Sequence, residues 1–385
     1  MKKITQFFYI FILVVFLVLP IPAYRLFGGM LDEVNHEKRE LAQRPVLTAE
    51  TIQTFPSAYE HFLNDNMPFK QLLAGWNGML DYFVFRTSSS DDVIVGKGGW
   101  LFYKGKQANN EDPEADYRGE NLFTQQELEK VRDNMLAARD LLRERGTKFI
   151  IFIAPNKARV YSEYMPAAYG APAQESRMMQ VVNYLQETTD LHVVCPYEEL
   201  MEFKEKHPEI SLYYKYDTHW NNAGAYIAAR ELADELDYEM PRLEDLNLSQ
   251  NPDGKYDLAE LLGLQEILRK DPVWIVNGYT DKEVEVHKNE GLTEFRFWNQ
   301  DDEWDDQKIF LVGDSFSTMM GPYIACHVLE TYLNSYLYYE SWMLATEDPD
   351  VLIYETVERY IGNMLDFDLT SHIGAGRGAA GATID

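Results

Sequence analysis

The sequence predicts an α/β fold with a mostly parallel sheet, helices on both faces, a small antiparallel insertion and an N-terminal membrane helix. Three observations carry this. Residues 148–154 (KFIIFIA), 308–312 (KIFLV) and 351–355 (VLIYE) are continuous apolar runs rich in β-branched and aromatic residues, the pattern of strands covered on both faces. Segments of helical period lie between them. Strands separated by such helices pair in parallel through right-handed crossovers.

The elements follow in order. Met1-Lys2-Lys3 is a basic start, and an unbroken aliphatic and Phe run extends from Ile10 to Leu19. About 20 apolar residues span a bilayer, and the basic end favours a cytoplasmic N-terminus with an exported bulk. Ile21-Pro22-Ala23 lacks a small-x-small cleavage pattern, so residues 1–24 read as an uncleaved signal anchor, with a cleaved signal peptide as the competing reading. Residues 25–90 are a polar, helix-leaning, membrane-proximal segment broken by Pro45 and Pro56. Residues 91–370 form the main domain. Val93-Ile94-Val95, a Gly-rich turn and Trp100-Leu101-Phe102-Tyr103 predict a hairpin. Thr124-Gln125-Gln126-Glu127 is a capping box, followed by Leu128, Val131, Met135, Ala138 and Leu142 at helical spacing and by Gly146 as a stop. Further helices are expected near 175–187, 222–236 and 317–326, and a short strand at 191–195. Residues 273–298 alternate and predict an antiparallel β insertion. The Gly/Ala-rich tail, 371–385, predicts disorder.

Composition narrows the function. The 385 residues carry 35 Lys+Arg against 63 Asp+Glu, a formal net charge of −28. With 46% hydrophobic residues, this excludes a largely disordered or fibrous chain. The absence of a clustered basic surface argues against nucleic acid as a partner. Two cysteines, Cys195 and Cys326, exclude a disulfide scaffold and a Cys-based zinc site, and read as free thiols. The eight histidines show no H-E-x-x-H spacing, and the acidic clusters at 111–116 and 301–306 lack an EF-hand glycine. No metal or cofactor is expected.

Two segments carry chemistry. Gly313-Asp314-Ser315-Phe316-Ser317 follows the 308–312 strand and precedes a helix, so Ser315 is placed at the carboxyl edge of the sheet, where α/β sites form. The helix N-terminus offers amides for an oxyanion, with Phe316 as the candidate beside the serine. The plainer alternative is that Asp314 or Ser315 caps the helix. Asp217-Thr218-His219-Trp220 precedes the 222–236 helix. A serine needs a base, histidine titrates near neutrality, and a carboxylate fixes its tautomer. In an extended segment, Asp217 and His219 share a side and Thr218 points away.

These two motifs in this order resemble the alginate O-acetyltransferase-like (AlgX/AlgJ, DHHW) group of SGNH-hydrolase-like proteins, in which Asp-x-His-Trp precedes Gly-Asp-Ser. Gly96-Lys97-Gly98-Gly99-Trp100, Pro155-Asn156-Lys157, Asp257-Leu258-Ala259 and Val357-Glu358-Arg359 are also similar to that group. The resemblance implies a flavodoxin-like SGNH three-layer sandwich with Ser315 as nucleophile, His219 as base and Asp217 as orienter. It implies acetyl transfer to hydroxyls of an extracytoplasmic polysaccharide, with a membrane-bound O-acyltransferase partner supplying the acetyl group. A carbohydrate esterase with the same three residues, or a non-catalytic polysaccharide-binding or scaffold protein, are the alternatives. Thr218 stands at the family's second motif position, where its outward direction should do little harm. Asn156 is a candidate oxyanion donor or an ordinary Pro-Asn turn. With Lys157 it lies at the same sheet edge as Ser315. Arg359 is expected to bind a carboxylate or sugar, or to make a surface salt bridge. Trp220 is expected to be a sugar platform or a core residue.

Overall fold

The computed structural model describes residues 42–373 except 49, 68–69, 106–110, 252–253, 255, 270, 272, 279–283, 289–293, 300–304 and 372. It also describes positions 9, 11, 14, 15 and 22. The chain divides into two units, Met1–Val84 and Phe85–Asp385. The first contains α1 (Phe55–Asp65) and α2 (Lys70–Met79). Pro56 lies in the first turn of α1, where its missing N–H is no loss, so it opens a helix rather than breaking one.

The second unit opens with the hairpin β1 (Val93–Val95) and β2 (Leu101–Tyr103), as its Gly-rich turn predicts. Next come α3 (Pro113–Arg118), α4 (Gln125–Arg143), β3 (Lys148–Ala154), α5 (Lys157–Val160), α6 (Arg177–Thr188) and β4 (His192–Val194). Then follow α7 (Tyr197–Lys206), α8 (Asn222–Glu235), β5 (Leu248–Asn251), α9 (Asp257–Leu261), β6 (Val273–Val276), β7 (Val284–Lys288) and β8 (Glu294–Asn299). The chain continues through β9 (Asp305–Gly313), α10 (Ser315–Ala325), β10 (Val328–Ser335), α11 (Trp342–Glu347) and β11 (Val351–Val357), with a 3₁₀ segment at Glu358–Asp366. The capping box of α4 forms in both directions.

One sheet of seven strands, ordered β4-β3-β11-β9-β10-β8-β7, organises this unit. The first five pair in parallel. β10–β8 and β8–β7 are antiparallel, so the sheet is mixed. Alternation along the central strands explains the layers. Phe149, Ile151 and Ile153 of β3 join Met135, Val181 and Leu185 of α4 and α6 in one buried cluster. Ile150, Phe152 and Ala154 join Tyr226, Met320 and Ile324 of α8 and α10 in another, on the opposite face.

The strand pairing corrects two expectations. Residues 273–298 are not one insertion: β6 pairs with β5 in a separate two-stranded sheet, while β7 and β8 extend the main sheet through β10. β10 itself is a strand that sequence reading missed. The 1–24 anchor lies almost wholly outside the described residues, and among those described no helix is long and apolar enough to cross a membrane. Of the 371–385 tail, 374–385 lie outside them too.

Candidate active site

Parallel pairing brings the carboxyl ends of β3, β9 and β11 to one edge, and the segments leaving them hold most of the singled-out residues. Ser315 is the first residue of α10. Asp314 caps that helix: Oδ1 accepts the Phe316 N–H at 2.9 Å and Oδ2 accepts the Val357 N–H at 2.8 Å, tying the turn to β11. Gly313 is required by close approach, because a Cβ there would stand 2.4 Å from Glu355 Oε2. Ser315 is left exposed above the sheet while Phe316 beside it is buried.

The second motif is carried by a tight loop before α8. Tyr213 and Trp220 bridge antiparallel, and the Asn221 N–H donates to Leu212 O at 2.9 Å. Asn221 caps α8, accepting from Ala223 N–H at 2.9 Å and Gly224 N–H at 3.2 Å. A Cβ on Gly224 would meet Leu212 O at 2.2 Å, so the loop lies on the helix only because that residue is glycine. Beneath the loop, the buried Lys157 ammonium donates to Tyr214 O at 3.1 Å and to Asp217 O.

At the tip the three candidates meet. His219 Nδ1 stands 2.6 Å from Asp217 Oδ1, which also accepts the His219 main-chain N–H at 3.0 Å. His219 Nε2 is 2.6 Å from Ser315 Oγ. A carboxylate at Nδ1 fixes the proton there, leaving Nε2 to accept from the serine hydroxyl. Burial by itself would depress the imidazole, but the Asp217 charge and hydrogen bond, with Asp257 behind them, hold it above 6.5. Burial likewise favours neutral Asp217, yet His219 and two backbone N–H donors bring it down to about 2. The group faces a cleft of about 450 Å³ lined also by Tyr214, Tyr256, Thr318 and Met319.

A family model described as "SGNH hydrolase-like domain, acetyltransferase AlgX" matches residues 93–335, which include both motifs. The chain belongs to that family. The probable alginate O-acetylase AlgJ of Pseudomonas aeruginosa is 26% identical over 198 residues, 51% of this chain and 44% of the relative. That of Pseudomonas putida is 25% identical over 177 residues, 46% and 42% of the two chains. The chain thus spans less than half the length of these curated relatives. Among solved structures, Bacillus cereus PatB1 superposes with a TM-score of 0.51 at 14% identity, over 72% of this chain and 99% of that one, a likeness of fold.

Within this AlgX-type domain the other singled-out residues fare differently. Trp220 is no sugar platform: it is fully buried and its Nε1–H donates to Phe316 O at 3.1 Å, which couples the two motifs through the core. The Phe316 amide is spent on Asp314 and is not free for an oxyanion. Among the described residues no hydrogen bond is made by the Ser315 N–H. Asn156 and Arg359 do not line the Ser315 cleft. They meet each other, Arg359 Nη1 donating to Asn156 Oδ1 at 3.4 Å, beside a cavity of only about 20 Å³. Arg359 is buried rather than on the surface, with Nε 3.8 Å from Glu111 Oε1. Lys157 also lines that cavity, and burial lowers its ammonium to about 8 against the pull of Asp217, Asp257 and Asp271. Its ammonium supports the loop through the Tyr214 and Asp217 carbonyls. Cys195 and Cys326 form no disulfide.

Thr218 does not point away. Residues 215–219 form bends, so strand alternation does not apply, and Thr218 Oγ1 lies 3.2 Å from His219 Nδ1. The residue it bonds, Asp257, was missed as part of the site, although Asp257-Leu258-Ala259 stands out as a family-like segment. Among the described residues, Asp217, His219 and Asp257 also have the spacing of a cation site, with candidate atoms within 4.8 Å of one another. Both carboxylates carry hydrogen-bond partners within the group, Asp217 with His219 and Asp257 with Thr218.

Proposed function

We propose that this chain is an O-acetyltransferase that carries the acetyl group on Ser315. The observation that carries this is the continuous Asp217–His219–Ser315 contact, two 2.6 Å steps ending on an exposed hydroxyl at a helix start. Ser315 Oγ attacks the carbonyl of an acetyl donor as His219 Nε2 takes its proton. Asp217 stabilises the imidazolium. The tetrahedral oxyanion forms beside the helix N-terminus, where the Ser315 N–H is the donor left without a partner among the described residues. Collapse expels the donor's leaving group, which recovers the proton from His219, and leaves acetyl-Ser315. A sugar hydroxyl then gives its proton to His219 as its oxygen attacks the acetyl carbon, and Ser315 Oγ takes that proton back from His219 as it leaves, releasing the acetylated sugar.

Family membership and relatives named as alginate O-acetylases support transfer to a polysaccharide hydroxyl. The basic start and apolar run of residues 1–24 support an anchored domain on the extracytoplasmic side, with a membrane-bound O-acyltransferase as the source of acetyl groups. Because the serine is exposed, water competes with the sugar, and an esterase is the second reading. Incubation of the domain with an activated acetyl ester and an oligosaccharide separates them. A transferase gives acetylated sugar in proportion to acceptor; free acetate alone, unchanged by acceptor, contradicts transfer.

A further inference from the structure

We propose that Asp257 is a positioning residue of the acid–base centre, a second carboxylate that reaches the imidazole through Thr218 and holds Asp217 in place. The proposal rests on reading His219 as the general base. Asp257 begins α9, and its main-chain N–H donates to Asp217 Oδ2 at 2.9 Å, on the oxygen that His219 does not use. Its carboxylate accepts the Thr218 N–H on Oδ1 at 2.8 Å and the Thr218 hydroxyl on Oδ2 at 2.5 Å. The Leu258 N–H also donates to Oδ1, at 2.6 Å.

The direction of the hydroxyl proton matters. Thr218 Oγ1 has one proton, and it goes to Asp257, so the oxygen turns a lone pair toward His219 Nδ1 at 3.2 Å. Asp257 Oδ2 itself is 3.9 Å from Nδ1. The Nδ1 side therefore faces three oxygens in a row, from Asp217, Thr218 and Asp257. When Ser315 gives up its proton the positive ring is met by two carboxylates instead of one. The opposing charge on His219 is Arg359 from the segment after β11; Lys157 from α5 faces Asp217 and Asp257, and Asp314 at the start of α10 adds a third acidic group. Removing the Asp257 charge thus makes His219 easier to deprotonate and a weaker base.

The substitution Asp257→Asn keeps the main-chain N–H on Asp217, removes the charge and puts an amide donor where Oδ2 accepted the Thr218 hydroxyl. Thr218→Val keeps the carboxylate and removes the link. The test is an NMR titration of the labelled imidazoles of the full chain without substrate, with the His219 signal assigned by its loss in His219→Gln. The expected result is a His219 midpoint lowered by about half to one pH unit in Asp257→Asn, less in Thr218→Val, and restored in Thr218→Ser. On an acetyl ester, kcat should fall several-fold while KM holds, with the acid limb displaced to lower pH by the same amount. A His219 midpoint unchanged in folded Asp257→Asn overturns the proposal; if that variant does not fold, an unchanged midpoint in Thr218→Val does so. The titration needs no turnover. Failure to form acetyl-Ser315 with a shifted midpoint would instead count against the proposed function.

Discussion

Two polar clusters border the same buried ring, that of Phe316. The His219 ring lies 5.0 Å from Phe316, and its cluster opens on a cleft of about 450 Å³. The Arg359 guanidinium lies 5.3 Å from the same ring, and its cluster with Asn156 encloses only about 20 Å³. Ser315 of the first and Asn156 and Arg359 of the second follow strands at the carboxyl edge of the sheet, and in sequence both clusters hold candidate site residues. The difference is access. The open cluster presents a hydroxyl and a base to whatever enters. The closed one joins strand ends: Glu358 accepts the Asn156 N–H at 3.0 Å and pairs with Arg159 at 2.7 Å, both groups buried. Position at the functional edge of an α/β sheet thus supplies either chemistry or architecture, and the neighbouring space decides which.

The contrast can be broken from the open side first. Ser315→Ala should reduce ester turnover by about 10⁴-fold or more while leaving the thermal midpoint near that of the parent, because an exposed hydroxyl contributes little to packing. Next, kcat/KM should need neutral His219. Since the imidazole is held above 6.5, the acid limb should fall above that value, and Asp217→Asn should bring it down. A limb near pH 4 in the parent would show that a carboxylate, not His219, is the base.

Lys157→Met lies between the two sides. It leaves the Tyr214 and Asp217 carbonyls without their buried donor, so both kcat and stability should drop, the latter by roughly 1–3 kcal/mol in denaturant titration. On the closed side, Arg359→Leu should cost roughly 3 kcal/mol of stability while KM for acceptor stays constant. A raised KM with stability intact would return Arg359 to the substrate.

The smallest effect concerns Glu355, fully buried beneath the nucleophile turn, where its Oε2 accepts the Asp314 N–H at 2.9 Å. Burial first, and Asp314 second, push its carboxyl well above 4.5. A folded value above the unfolded one gives stability that is complete below 4.5 and lost as pH rises through the folded value. Glu355→Gln is neutral throughout. It should match the parent near pH 4.5 and exceed it at about pH 8 in thermal melts.

The legible parts of the molecule were those with one dominant signal. β3, β9 and β11 are apolar runs covered on both faces, and the α4 cap and stripe are local. β10 reads VLETYLNS and was missed because Thr331 and Asn334 are polar yet buried. Asp217 and His219 do face together, but through the Asp217 carboxylate capping the His219 N–H two residues on, not through strand alternation. The same bend turned Thr218 inward. Trp220 and Arg359 carry side-chain types suited to sugars, and their burial is a property of the packed fold that no local sequence signal gives.

The proposed chemistry turns on Ser315 Oγ becoming the acyl carrier. Its most direct measurement is intact mass followed by peptide mapping after exposure to an activated acetyl ester. One acetyl adduct on the Ser315 peptide, absent in Ser315→Ala and not formed in His219→Ala, is the predicted result. No adduct, or equal labelling in Ser315→Ala, would contradict it.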